Sequence, residues 1–442
     1  MASISRSPAA TVLRTLPNGV RLLAVPMPQV QSASVGVFLR VGSRDETPAT
    51  NGISHVLEHM AFKGTATRSV QAINLDAERL GADVNAFTGK DSTAYFMTGL
   101  GRHANDLLRM TADIVLNSTF PEHELQRELE VIRQEAIEYD EDPQDSTDDL
   151  LDRAIWGDAP MGMPVIGTLE NIEGFRRDDL VRHVQAHYVA GKTIVAAAGH
   201  FDVEGWMALA EELFGAMPAS PAASATQAPA PAAYVGQALA RRFTQVSQVF
   251  VNIAYPIAPS DTHAVAQTRW RLTAQLAANL LGNGMSSPLS DTIREKLGLA
   301  YTVDASVDKG DIWANFVVSA VTTPDKLDAL VTATGDLLRA HATAVDPVHL
   351  ERARNQLTVS RVRTAERTYG TMEQAVEELL ATGTVMPMDE ALALIEDIGA
   401  HEVRAVFEGM LAHAPAVAIT GKAATARQAK ALSARLSALP RG

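Results

Sequence analysis

Cysteine is absent from all 442 residues. That excludes a disulfide framework and a thiolate nucleophile, and it leaves any metal to nitrogen and oxygen ligands, while the redox compartment stays undecided. Also lacking is an apolar run near the ~18 residues that a membrane helix needs, so a membrane-spanning chain is not expected. The N-terminal MASISRSPAATVLRTL has arginine and serine but no continuous apolar stretch of the secretory kind, and TLPNGVRLLAV reads as a hairpin. A cytoplasmic protein is the default expectation. Basic residues are in deficit, 38 Lys and Arg against 52 Asp and Glu, for a formal net charge of −14. This argues against a general nucleic-acid binder, which needs a basic face to displace counterions, and it points to cationic substrates. Much of the acid is local, in EYDEDPQDSTDDLLD at 138–152, expected to be a solvated helix end and loop, with a steering surface as the other reading.

What the chain does have is 46% hydrophobic residues and enough length for two or three domains. At 217–232 the sequence turns to MPASPAASATQAPAPA, which has no apolar period and reads as a linker. It divides the chain almost in half. Each half has strand-like alternation, SASVGVFLRVG at 32–42 and SQVFVNIAYPI at 247–257, then long helical patterns such as HELQRELEVIRQEAIEY and KLDALVTATGDLLRAHA. Each half also closes on a strand ending in glycine, KTIVAAAGHFD and PAVAITGKAA. The reading is α+β: two similar domains, 1–216 and 233–442, each a mostly antiparallel sheet covered by helices.

The stretch HVLEHMAFKGT at 55–65 sets two histidines and a glutamate within five residues of a helical pattern. His55 and His59 are i and i+4, and Glu58 lies beside the second, so all three project to nearly one side. A hydrolytic zinc usually takes three protein ligands, of which the histidines would be two. Glu58, poorly placed to ligate from the same turn, would be left to take a proton from the attacking water. A histidine pair satisfied within the fold is the bland reading of the same residues.

For a third ligand, the helix ELQRELEVIRQEAIEYDEDP offers several carboxylates, and its period sorts them. Leu125, Leu129, Ile132 and Ala136 form the apolar stripe. Glu128 and Glu135 flank Ile132 on that side, while Glu130 and Glu138 point toward solvent. A carboxylate on a buried face is costly unless paired or bound to metal, so Glu128 and Glu135 are each either a ligand or one half of a core ion pair with an arginine.

Together with LGADVNAFTGKDSTAYF at 80–96, PVIGTLENI at 164–172 and LGNGMSSPLSDTIREKLGLAYTV at 281–303, these motifs resemble the pitrilysin-like (inverzincin, M16) zinc metallopeptidases from about residue 12 to about residue 420. The resemblance implies His55, His59 and Glu135 as zinc ligands, Glu58 as general base and Glu128 as a supporting acid. It implies that Asn85, Ala86 and Phe87 form an edge strand that holds an extended peptide by β-augmentation. It also makes Arg294 and Tyr301 the pair that grips substrate and stabilises the oxyanion, where the residues alone would read as a solvated helix arginine and a core aromatic. Pro288 stands where many relatives carry arginine, a departure that bears on local substrate contacts or on the geometry before the helix, with no catalytic position lost. The modest LGNG loop disfavours mitochondrial presequence processing. Longer relatives assemble four such domains into a chamber, so a two-domain chain implies a homodimer with composite sites that takes short unfolded peptides. A dedicated leader-processing protease and a noncatalytic partner subunit are the alternatives.

Overall fold

Apolar residues alternate with small or polar ones in the strand stretches, and in a computed structural model those stretches are strands. The structure describes residues 10–219, 233–257 and 264–437. One sheet contains β1 (Val12–Thr15), β2 (Arg21–Pro26), β3 (Ser32–Leu39), β4 (Asp83–Thr88), β5 (Thr93–Leu100) and β6 (Thr193–Gly199), in the order β1-β2-β6-β3-β5-β4. The other contains β7 (Ala238–Arg242), β8 (Val249–Pro256), β9 (Thr302–Lys309), β10 (Ala314–Thr322) and β11 (Ala416–Gly421), in the order β7-β11-β8-β10-β9. Strand for strand, β2-β6-β3-β5-β4 and β7-β11-β8-β10-β9 are one topology used twice. In each, the last strand in sequence pairs in parallel with the first, and every other pairing is antiparallel. This is the duplicated α+β plan read from the sequence.

The glycines that close the two halves have one cause. Gly199 and Gly421 sit at φ +140 and +129, where an added Cβ would lie 2.4 Å from Ser32 O and 2.3 Å from Gln248 O. Only a residue without a side chain lets the last strand pass so near the start of its neighbour. Before them, β6 and β11 are buried at every position, as central strands covered on both faces must be.

Ala33, Val35, Val37 and Leu39 of β3 enter the core of the first unit, which is roofed by α1 (Ile53–Ala61), α2 (Val70–Leu80), α3 (Ala104–Asn117) and α4 (Glu122–Glu141). On the opposite face, Ser34 hydrogen-bonds Thr368 Oγ1 at 2.8 Å, and Phe96 stacks on Tyr369 with ring centroids 4.3 Å apart. The cover there is a helix from the second half of the chain, Thr368–Thr382. The second unit reciprocates. Its outer face is covered by α5 (Pro143–Trp156) from the first half, through Leu151, Ile155 and Trp156 against Ala254, Val317 and Ala418.

The described residues therefore divide into two compact units that are not contiguous halves. The first takes those up to Ala136, those from Pro164 to residue 219, and Arg363–Leu380; the second takes Ile137–Met163, those from residue 233 to Val362, and those from Ala381. Most of the 217–232 linker, residues 220–232, lies outside the described residues. One local expectation is corrected. The acidic run is not chiefly loop, because Asp142 accepts from the amides of Gln144 and Asp145 and Pro143 opens the helix, so α5 starts inside it.

Candidate metal centre

Within α1, Ile53, Val56, Leu57 and Met60 are buried, and His55, Glu58 and His59 occupy the less buried side. Each fully buried aliphatic contributes roughly 1.5–3 kcal/mol, which anchors a helix of nine residues too short to persist alone. α4 supplies the third group. Leu125, Ile132 and Ala136 are buried and Leu129 partly so, which places Glu128 and Glu135 inward and leaves Glu130 and Glu138 exposed, as the stripe predicts.

Glu135 Oε2 lies 3.8 Å from His55 Nε2 and 3.5 Å from His59 Nε2. The three ligand atoms fall within 4.8 Å of one another, a grouping that occurs once among the described residues. Ligand atoms about 2.1 Å from a tetrahedral zinc would be roughly 3.4 Å apart, so the set fits such an ion. Its protonation fits too. Burial, and then the neighbouring His59, lower His55 to about 4, and burial lowers His59, with Glu128 raising it and Lys63 lowering it again. Both imidazoles are neutral near pH 7 and offer lone pairs to a cation.

Glu128 does not join the ligand group. Buried at 7% exposure, it meets Lys63 at 2.6 Å, so its partner is a lysine where an arginine is the sequence expectation. Glu58 lines a cleft of about 340 Å³ with His59, Lys63, Asn85 and Ala86. Burial pushes its carboxyl above the usual range, against a hydrogen bond with Thr88 that lowers it.

The far wall of the cleft is β4, which among the described residues is the edge of its sheet and pairs only with β5. The Ala86 amide donates to Asn85 Oδ1 at 2.8 Å, so this edge donor turns away from β5. Phe87 packs instead near Phe96, with ring centroids 6.4 Å apart. Arg294 and Tyr301 belong to the second unit, Arg294 in the π-helical turn Ser290–Lys296 and Tyr301 just before β9. The guanidinium lies 5.8 Å from the ring centroid. Tyr301 is 74% exposed, which rules out the core-aromatic reading.

Three residues around the centre gave no sequence signal. Glu46 holds the start of α1, Asp113 holds the loop after it, and Thr88 contacts Glu58. Asp113 lies on α3 and Thr88 ends β4, but the period of an element does not say which distant group a polar side chain on it meets, and Glu46 lies outside any helix or strand period.

Comparison with known proteins places these features in context. The sequence profile described as insulinase (peptidase family M16) matches residues 21–169, and that described as the peptidase M16 inactive domain matches 174–357. A protein of Rickettsia bellii named as a zinc protease is 32% identical over 388 residues, 88% of this chain and 92% of its own. One of Streptomyces coelicolor, also named as a zinc protease, is 33% identical over 93% of this chain and 90% of its own. Among solved structures, a protease from Helicobacter pylori has a TM-score of 0.81 at 19% identity, covering 93% of this chain and 99% of that one. A Pseudomonas fluorescens structure titled as a peptidase M16 inactive domain gives the same score and identity over 93% and 98%.

Proposed function

The chain belongs to the insulinase family of M16 peptidases, and from that premise we propose that it is a zinc-dependent endopeptidase acting on short unstructured peptides. One observation carries the reading: His55, His59 and Glu135 converge on one point, and His59 with the neighbouring Glu58 lines a cleft that Val84, Asn85 and Ala86 of β4 also line. Zinc, when bound by those three residues, supplies Lewis acidity at the scissile carbonyl. A peptide adding to β4 would displace the Asn85 side chain from the Ala86 amide and take that hydrogen bond itself. Glu58, its basicity raised by burial, takes the proton from the attacking water and returns it to the leaving amine. Arg294 and Tyr301 donate to the carbonyl oxygen as it gains charge. Glu128 holds Lys63 beside His59 and keeps that cation from facing the ligands unpaired. In this reading the protein works as a homodimer, one protomer's metal unit completed by its partner's Arg294 and Tyr301.

The test is cleavage of a mixture of unstructured peptides followed by mass spectrometry. Wild-type protein should produce fragments, a zinc chelator should stop it, and Glu58→Gln should lower kcat by about a hundredfold or more while still binding zinc. Folded, zinc-loaded protein that cuts nothing would sink the general-endopeptidase reading in favour of a dedicated processing enzyme or a partner subunit.

A further inference from the structure

A helix leaves its first amide hydrogens without partners, and a side chain at the N-cap usually takes one or two of them. α1 has no such side chain. Its N-cap is Gly52, at φ +98, and an added Cβ there would sit 2.7 Å from Ile166 O. The helix that carries both histidines and the base therefore depends on something else at its start.

That something is a carboxylate six residues upstream. Glu46 Oε2 accepts from the Gly52 amide at 2.8 Å and from Asn51 Nδ2 at 3.0 Å, and Oε1 accepts from the Ser54 amide at 2.9 Å. Ser54 immediately precedes His55. Glu46 is 3% exposed, and its charge lies at the positive end of the α1 dipole. A second loop locks the arrangement. Asn51 Nδ2 donates to Pro164 O at 2.9 Å, and Asn171 Nδ2 donates to Pro48 O at 2.9 Å and Asn51 O at 3.0 Å. The opposite end of α1 is tied as well, since Ser118 Oγ donates to Ala61 O at 3.0 Å.

We infer that Glu46 is a positioning residue of the metal centre, fixing the axis and register of α1 so that His55 and His59 face Glu135 before any ion arrives. This rests on the zinc-peptidase reading. Groups that orient metal ligands from outside the coordination shell commonly matter 10–100-fold in metal affinity. A mobile α1 would have to be ordered at the cost of binding energy, and Glu46 removes that cost.

The experiment measures zinc affinity of metal-stripped protein by chelator competition, together with hydrogen exchange of the first turn of α1 and Tm. Glu46→Ala should weaken zinc binding by about 10–100-fold and speed exchange at residues 52–55. Glu46→Gln, which keeps an accepting oxygen but sets an amino group against one donor, should show a smaller loss, and it carries the test if the alanine variant does not fold. Leu209→Ala, a buried site on the distant helix Val203–Phe214, should lower Tm and keep wild-type zinc affinity. Wild-type affinity in both Glu46 variants, or an equal loss in Leu209→Ala, would overturn the inference. Failure of the wild-type protein to bind zinc would instead count against the peptidase reading, and the exchange data would still show whether Glu46 clamps α1.

Discussion

Asp113 governs the loop that follows α1. Buried at 7% exposure, its Oδ2 accepts from Thr65 Oγ1 at 2.8 Å, Thr67 Oγ1 at 3.1 Å and Arg68 at 2.6 Å, and its Oδ1 accepts from Asn117 at 2.9 Å. Burial works against its ionisation, but the hydrogen bonds from Asn117, Thr65, Arg68 and Thr67 together hold the carboxyl below the usual range. A group whose pKa is lower folded than unfolded stabilises fully above the unfolded value, about 3.9 for aspartate, and loses that contribution as pH falls through the folded value. Asp113→Asn should cost about 2 kcal/mol at neutral pH, below the 3–5 kcal/mol of a fully buried pair because Arg68 keeps Asp76 at 3.0 Å. The Tm difference between wild type and variant should hold steady above about pH 4 and shrink at lower pH. A difference independent of pH would show that the charge of Asp113 is immaterial. The same residue marks a limit of sequence reading. His55 and His59, and the pair Glu128 and Glu135, are legible because helical period sets each pair on one side of its helix, while only the family resemblance separates Glu135 from Glu128; Glu46, in a loop, and Asp113, on α3, act on residues whose spacing along the chain says nothing about distance in space.

Helices and strands differ in how much of their role is written locally. Strand alternation and the terminal glycines reveal the repeated domain plan, because each reports on the strand's own faces. The stripe of a helix reports only that one side is apolar, and not which sheet it covers. Hence Thr368–Thr382, in the second half of the chain, belongs with the first sheet, and α5 belongs with the second. A consequence follows for the chain cut at its linker. Residues 1–216 alone would uncover Ser34, Gly36 and Phe96 and lose the helix that buries Met372, Val376 and Leu379. At roughly 1.5–3 kcal/mol per buried side chain the loss approaches the 5–15 kcal/mol by which domains are stable at all. Expressed alone, 1–216 should aggregate or bind zinc poorly, and co-expression with 233–442 should restore soluble, zinc-binding protein. A soluble 1–216 fragment with cooperative unfolding and intact zinc affinity would refute the dependence.

At the scale of the whole molecule, chemistry is unevenly shared between two units of one topology. The described residues hold one metal-type cluster, in the first unit, while Arg294 and the exposed Tyr301 stand on the second. If catalysis needs both, they meet either within a chain or across a two-fold interface, and mixing two inactive proteins separates these cases. Glu58→Gln lacks the base but keeps Arg294; Arg294→Ala keeps the base. In a composite homodimer, a mixed dimer joins the intact metal unit of one protomer to the intact Arg294 of the other at one of its two sites, and loses both functions at the second. Random exchange makes about half the dimers mixed, so about a quarter of wild-type activity should return. Sites assembled within a single chain would gain nothing from mixing, because every chain still carries one defect. Peptide cleavage measured after co-expression with two affinity tags, on dimers bearing both, sharpens the expectation to about half of wild type and makes a null result decisive against the composite site.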